Sequence, residues 1–165
     1  MDINDLYNDE NFTEATKSVS NDLLPEGKYV LECLGRVTVK RGKTSGNRYA
    51  NFAFRPISTV DGEPAQGNLV YHMAMLEGVS SKGKPLGYGI IRTLKGFGLD
   101  KDTIQAIHQD IIANTEDASA SDGKDISLAI GGVPFSLEGK QVTAKVSIEE
   151  GTDGYKDKNR ITSFF

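Results

Sequence analysis

Residues 39–56 read VKRGKTSGNRYANFAFRP and predict two β-strands joined by a tight turn. The central segment RGKTSGN contains the Gly, Ser and Asn residues that hairpin connections use to reach positive φ angles. Because successive side chains of a strand alternate, Phe52 and Phe54 fall on one face, and Tyr49 and Arg55 fall on the other. We therefore expect the two phenylalanines to fill a core and Tyr49 to face outward.

Further strand patterns lie on both sides of this hairpin. The alternation of apolar and polar residues predicts strands at residues 28–40, 48–57, 68–76, 141–149 and 160–165. The third of these segments, residues 68–76, is apolar on both faces. Such a pattern is typical of a strand that is covered on both sides.

The spacing of apolar residues becomes helical between the third and the fourth predicted strand. It predicts a helical insertion at about residues 86–114. Asp102 followed by Gln105 has the form of a capping box, which predicts that the second helix begins near Asp102. Residues 115–124, TEDASASDGK, are small and polar, so we expect a flexible connection there.

These elements predict a protein that is mainly β, with a helical insertion. Five short antiparallel strands with one helical interruption are typical of an OB-like barrel, and a β-sandwich is the competing arrangement. Residues 25–165 would form this single domain, since a chain of 165 residues can bury one core. Residues 1–24 contain few apolar side chains, and we expect an acidic, mobile arm.

Charge is unevenly distributed along the chain, whose net charge is −4. Residues 1–24 carry six acidic side chains and one basic side chain, whereas residues 25–56 carry seven basic and two acidic ones. A negative net charge disfavours general attraction to nucleic acid. The local excess of positive charge in residues 25–56 is therefore more informative than the total.

Catalytic and metal-binding patterns are weak in this sequence. Cys33 is the only cysteine, and His72 and His108 are the only histidines, so a zinc site of the Cys/His type lacks ligands. GKT at residues 42–44 resembles the end of a phosphate-binding loop, but Val37 stands where that motif requires its first glycine. We expect Cys33 to be a buried apolar side chain, and we predict a protein that is not an enzyme and needs no metal or cofactor.

The basic hairpin points to a different chemistry, the binding of single-stranded nucleic acid. A protein that holds single strands without reading their sequence needs cations along the phosphates and flat rings on which bases stack. Arg36 and Lys40 are four residues apart on one face, about 13 Å at about 3.3 Å per residue, which suits successive phosphates. The candidate binding residues around the hairpin are Arg36, Lys40, Arg41, Lys43, Arg48, Tyr49 and Arg55. Those in other loops are Lys82, Lys84, Tyr155, Lys156, Lys158 and Arg160.

Several stretches also resemble a known family. LPEGKYVLEC at residues 24–33 and TSGNRYANFAFRP at residues 44–56 are similar to the opening of a bacteriophage family of single-stranded DNA-binding proteins with an OB-type fold. LKGFGLD at residues 94–100 is similar to the middle of that family, and GKQVTAKVSIEEGTDGYKDKNRITSFF at residues 139–165 is similar to its closing strands. The resemblance implies a protein that coats single-stranded DNA in phage replication or recombination, with other replication or recombination proteins as partners.

Two other functions fit the sequence. A protein-interaction module would use the sheet or the apolar helices at residues 88–112, and the negative net charge favours it. A small nuclease would use acidic residues and Mg²⁺. A homo-oligomer is compatible with either function and with DNA binding. No segment has the pattern of a membrane span or of a signal peptide, so we expect a cytoplasmic protein without a membrane partner, in the host cell if a phage encodes it.

Overall fold

The computed structural model describes residues 3–10, 23–152, 154 and 156–165. The protein is mainly β with antiparallel pairing, as predicted. The strands are β1 (Gly27–Arg41), β2 (Arg48–Thr59), β3 (Val70–Met75), β4 (Lys124–Ile126), β5 (Ala129–Ile130), β6 (Val133–Pro134), β7 (Gln141–Glu149) and β8 (Lys158–Phe164). The helices that the structure describes include α1 (Ile3–Leu6), α2 (Tyr88–Gly96) and α3 (Lys101–Asn114). Most of the predicted acidic arm, residues 1–24, lies outside the described residues.

The main sheet has the strand order β3-β2-β1-β7-β8, and β4 pairs with β1 beside β7. One edge of β1 pairs with two strands. Residues 27–32 pair with β7, and residues 37–39 pair with β4. The register between β1 and β2 shifts between Cys33 and Val37. Such a bulge bends a strand and increases its twist, which lets β1 curve around the core.

The core lies on the inner side of this curved sheet. Phe52 and Phe54 are fully buried, as predicted, and their ring centroids are 6.5 Å apart. Complete burial of a phenylalanine side chain stabilises the fold by about 1.5–3 kcal/mol. Cys33 is also buried, as predicted, and burial raises the pKa of its thiol. The alternation on β1 and β2 therefore separates an inner face from an outer face.

Both α2 and α3 lie within the predicted insertion, but α3 begins earlier than the sequence indicates. The carboxylate of Asp100 accepts a hydrogen bond of 2.8 Å from the backbone N–H of Thr103, so Asp100 is the N-cap. The capping box predicted at Asp102 is therefore wrong by two residues. Asp102 lies in the first turn, where the helix dipole favours an acidic side chain. The buried face of α3 carries Ile104, Ile107 and Ile111.

The two ends of the strand order, β3 and β8, approach each other beside α2. The ring of Phe164 on β8 lies edge-on to the ring of His72 on β3, with centroids 5.1 Å apart. Gly96 allows α2 to lie against β8, because a Cβ at this position would be 2.9 Å from Phe164 Cδ1. In the described strands, the hydrogen-bonded ladder runs from β3 to β8 and does not join these two ends.

His72 lies inside this contact between β3, β8 and α2. The hydroxyl of Thr93 donates to the carbonyl of Gly89 at 2.8 Å, so His72 Nε2–H donates to Thr93 Oγ1 at 3.0 Å. Burial, together with the positive charge of Arg160, lowers the pKa of His72 to about 4. The imidazole is therefore neutral at pH 7 and links β3 to α2.

This histidine predicts a loss of stability on mild acidification. Because the pKa of His72 is about 4 in the folded state and 6.5 ordinarily, the unfolded chain binds a proton first as the pH falls. We expect the free energy of unfolding to decrease by about 2 kcal/mol between pH 7 and pH 5. Urea denaturation at pH 7, 6 and 5 measures the decrease, and His72→Gln should remove most of it. An unchanged pH dependence in the variant would contradict this assignment.

Candidate nucleic-acid interface

The side of β1, β2 and β3 that points away from the core forms one surface, which we call the outer face. It consists of Glu32, Thr38, Lys40, Tyr49, Asn51, Ala53, Arg55, Tyr71, Met73 and Met75. The pairing places Lys40, Tyr49 and Met75 side by side in one row across the three strands. Neighbours in such a row have Cβ atoms about 4.5–5.5 Å apart, so their side chains can contact one ligand together.

Tyr71 and Met73 form the exposed apolar centre of the outer face. Their relative exposures are 58% and 59%, whereas Val70 and Ala74 on the inner side of β3 are buried. The prediction that this strand is covered on both sides is therefore wrong. Large apolar side chains that lie together in solvent often mark a binding surface, and methionine adapts its shape to different partners.

The structure places three of the predicted binding residues on the outer face. Lys40 and half-buried Tyr49 are direct neighbours across β1 and β2, and exposed Arg55 lies further along β2. Arg36 is exposed at the bulge of β1, outside the paired rows. The outer face therefore combines a cation and a ring at one end with a second cation at the other.

Acidic side chains mark the β1 side of this surface. Glu32 lies 3.9 Å from the guanidinium of Arg55. The hydroxyl of Thr38 donates to Asp125 of β4 at 2.6 Å, so a carboxylate borders β1 there. An anionic ligand is therefore better accommodated over β2 and β3, and at Lys40 on β1, than beside Glu32 or Thr38.

Arg48 is a predicted binding residue that the structure places within the fold. Its side chain is only 8% exposed, and Nε and Nη2 donate to the two carboxylate oxygens of Glu77 at 2.6 and 3.0 Å. Nη1 donates to the carbonyl of Ile112 near the end of α3 at 2.9 Å. The hydrogen bonds from Arg48 lower the pKa of Glu77 to about 2. Arg48 therefore joins β2 to α3, and its guanidinium binds groups of the protein itself.

Arg41 also binds groups of the protein itself. Its Nε donates to the carbonyl of Ala118 at 2.8 Å, and Nη2 donates to the carbonyl of Glu116 at 3.0 Å. Nη1 donates to the carbonyl of Gly46 at 2.9 Å and lies 3.6 Å from the carboxylate of Glu77. Part of the positive charge of the basic hairpin therefore stabilises the fold.

Residues 115–124, which the sequence predicts to be a flexible connection, are held against this hairpin. The backbone N–H of Arg41 donates to the carbonyl of Ser119 at 3.2 Å, in addition to the side-chain bonds of Arg41 to this segment. Thr115 and Ala118 are buried. The backbone carbonyl groups of this segment thus accept hydrogen bonds from Arg41. A sequence of small polar residues does not predict this role.

Two exposed loops flank the Tyr49 end of the outer face, namely residues 42–47 between β1 and β2 and residues 77–86 after β3. The loops contact each other through Asn47 and Gly78. They carry the exposed side chains of Lys43, Lys82 and Lys84. The structure therefore brings these three predicted lysines to one end of the outer face.

The hairpin between β7 and β8 lies at the other end of β1, because β7 runs antiparallel to β1 and ends beside its start. Lys156 and Lys158 are exposed there, and Lys158 pairs across the hairpin with Glu149. Tyr155 lies outside the described residues. The structure does not bring these two lysines together with those of the other loops.

Arg160 lies in a groove between α2, β3 and β8, which we call the basic groove. Its volume is about 750 Å³, and Met73, Arg92, Lys95 and Arg160 are part of its lining. Among the described residues that line it there is no Asp or Glu. Since Met73 belongs to both surfaces, the basic groove begins at the border of the outer face. Sequence reasoning missed Arg92 and Lys95.

A membrane-spanning helix and a metal site are both missing from the described residues. None of the helices in the described part of the chain has the length and apolar character that a membrane crossing requires. In the same residues, no three His, Cys, Asp or Glu side chains are grouped so that they could hold a metal ion. The candidate interface therefore consists of cations, rings and methionines.

Known families do not identify this chain. No protein-family model matches it, and no curated protein is similar to it in sequence. The resemblance to phage single-stranded DNA-binding proteins stays a prediction. The geometry of the outer face therefore provides the evidence for a function.

Proposed function

We propose that this protein binds single-stranded DNA without sequence preference and coats it during phage replication or recombination. The observation that carries the proposal is the outer face, where Tyr49, Tyr71 and Met73 share one open surface with Lys40 and Arg55. Rings and cations on one surface meet the two requirements of single-strand binding, which are base stacking and phosphate attachment. Binding would be stoichiometric, with no chemical step.

The fold supports this proposal, since we interpret the curved sheet as a partly open, OB-like barrel. OB folds bind oligonucleotides on the face of their second and third strands, with the loops between strands 1 and 2 and between strands 4 and 5 at its borders. The corresponding face here belongs to β2 and β3. The corresponding loops are residues 42–47 and the hairpin between β7 and β8.

The rings of the outer face are spaced for separate bases. Tyr49 pairs with Met75, which is four residues from Tyr71 along β3. This offset is about 13 Å at about 3.3 Å per residue. Two rings at this separation can each support a different base, with Met73 between them. Each stacked base contributes about 1–3 kcal/mol to binding.

The net charge of −4 is compatible with this proposal. At physiological ionic strength, the Debye length is about 8 Å, so distant acidic side chains are largely screened. The cations that contact the phosphates then determine the attraction. Binding should therefore weaken strongly as salt is added.

Fluorescence anisotropy with labelled oligo-dT tests the proposal. We expect tighter binding to oligo-dT than to a duplex of equal length, and a linear fall of log affinity with log salt concentration. Lys40→Ala combined with Arg55→Ala should reduce the slope by about 1.4, because each lost phosphate contact of a single strand removes about 0.7.

The matched control removes two exposed lysines outside the outer face, Lys101 and Lys145. Lys101→Ala combined with Lys145→Ala should leave the slope unchanged. Equal slopes for the two double variants would show that the outer face does not hold the phosphates. A wild-type protein that binds neither oligo-dT nor duplex would contradict the proposed function itself.

A protein-interaction module is the second candidate. The exposure of Tyr71 and Met73 favours it, because tyrosine and methionine are enriched at protein interfaces. Under this alternative, the wild-type protein would show no selective affinity for oligo-dT in the same titration.

A further inference from the structure

The basic groove has cations on two facing walls. Arg92 and Lys95 are three residues apart on α2, which places them on one side of the helix. Arg160 belongs to β8, on the opposite wall. All three side chains are exposed, and the structure shows no ion pair for them within the described residues. Their charges are therefore available to a ligand.

The walls of the groove are fixed by packing. His72 binds Thr93 of α2 at 3.0 Å and contacts the ring of Phe164 on β8. Ile90 and Leu94 of α2 are completely buried in the core. The groove therefore exists before a ligand binds, and a ligand does not need to open it.

The basic groove is continuous with the outer face. Met73 is exposed on the outer face and also lines the groove. A strand that lies across β2 and β3 reaches the β3 border of the outer face at this methionine. From there, the next cations along its path are those of the groove.

We infer that the basic groove is a second binding segment, which holds the phosphodiester backbone of the same single strand after it leaves the outer face. This inference rests on the proposed function. Arg92, Lys95 and Arg160 bind phosphates there, and the outer face holds bases. A protein with both segments covers a longer stretch of DNA than the outer face alone.

Charge and shape favour a nucleic acid strand over an acidic peptide as the occupant. The groove adjoins a surface with two tyrosines suited to stacking, which a peptide of acidic residues would not use. A polyanion with regularly spaced charges also matches cations placed on two walls along one path.

Oligonucleotide length separates the two segments. We compare oligo-dT of about 6 and about 16 nucleotides, two lengths within the range of site sizes of OB folds. Arg92→Ala combined with Lys95→Ala should weaken binding of the longer oligonucleotide about 10-fold and reduce its salt slope by about 1.4. Binding of the shorter one should remain that of the wild type. Lys101→Ala combined with Lys145→Ala is the charge-matched control for both lengths.

Each other outcome overturns the inference. Wild-type affinity of the Arg92/Lys95 variant for both lengths shows that DNA does not enter the groove. An equal loss for both lengths shows that the groove is not a separate segment. Loss of binding to a polyglutamate peptide, with unchanged DNA binding, assigns the groove to acidic protein segments. These three outcomes do not contradict the proposed function. A wild-type protein that binds neither oligonucleotide would contradict both the proposed function and the inference about the groove.

Discussion

Arg48→Ala is expected to lower the free energy of unfolding by about 3 kcal/mol at pH 7, because it breaks a largely buried ion pair by removing one partner. The substitution removes both hydrogen bonds to the carboxylate of Glu77 and the donor to the carbonyl of Ile112. The carboxylate of Glu77 would then keep only the backbone N–H of residue 48, at 2.9 Å, and the guanidinium of Arg41, at 3.6 Å. Urea denaturation followed by circular dichroism measures the loss.

The loss should also depend on pH. The pKa of Glu77 is about 2 in the folded state and 4.5 ordinarily, so the contribution of the pair is complete above pH 4.5 and disappears as the pH falls toward 2. The stability difference between wild type and Arg48→Ala should therefore shrink between pH 5 and pH 2. A double-mutant cycle with Glu77→Gln isolates the pair from the bond to Ile112. Equal stability of the wild type and Arg48→Ala at pH 7 would refute a structural role for Arg48.

Tyr49→Ala combined with Tyr71→Ala is expected to weaken oligo-dT binding at least about 30-fold, since two stacked bases contribute about 1–3 kcal/mol each. The salt slope should keep its wild-type value, because a tyrosine ring is uncharged and its removal takes away no cation that displaces counterions. Anisotropy titrations at several salt concentrations measure both quantities. The outcome distinguishes stacking from the electrostatic contribution of Lys40 and Arg55.

The control substitutions for Tyr49 and Tyr71 remove the hydroxyl groups and keep the aromatic rings. Tyr49→Phe combined with Tyr71→Phe should bind oligo-dT like the wild type. An equal loss in both double variants would assign the effect to the hydroxyl groups, and no loss in the alanine variant would place base stacking elsewhere. Because Tyr49 is half-buried, thermal denaturation should accompany these titrations.

Sequence patterns predict the parts of this fold that depend on neighbouring residues. The alternation in residues 48–57 predicts that Phe52 and Phe54 are buried, and both are. The helix start is less certain from sequence, because Asp100 and Asp102 are both suitable N-caps. The choice between them depends on backbone geometry, which gives Asp100 the extended conformation of a cap.

The roles of the cations depend on residues that are distant in sequence. Arg48 and Glu77 are 29 positions apart, and Arg41 and Ala118 are 77 positions apart. The sequence alone does not show whether a basic residue in a hairpin binds a carboxylate, binds a carbonyl group or faces solvent. The sequence therefore predicts a cluster of positive charge, but it does not show which members, such as Lys40 and Arg55, remain at the surface.

The exposed centre of the outer face was missed for a related reason. Tyr71 and Met73 belong to a strand that is apolar on both sides, and such a strand looks the same whether a neighbouring element or a ligand covers it. The basic groove did leave a signal, since α2 contains Arg92 and Lys95 three residues apart and no acidic residue. The sequence does not show that Arg160 lies opposite them.

The edge of β1 that pairs with β4 and β7 stays incomplete while the protein is being synthesised. The start of the sheet is completed by residues much later in the sequence, as the bond between Leu24 N and Asn159 Oδ1, 135 positions apart, illustrates. A nascent chain that has been translated only as far as α3 can form the meander of β1, β2 and β3, but β1 still lacks β7. Its unpaired backbone groups remain open to other strands until β7 has been translated, which makes this stage prone to aggregation.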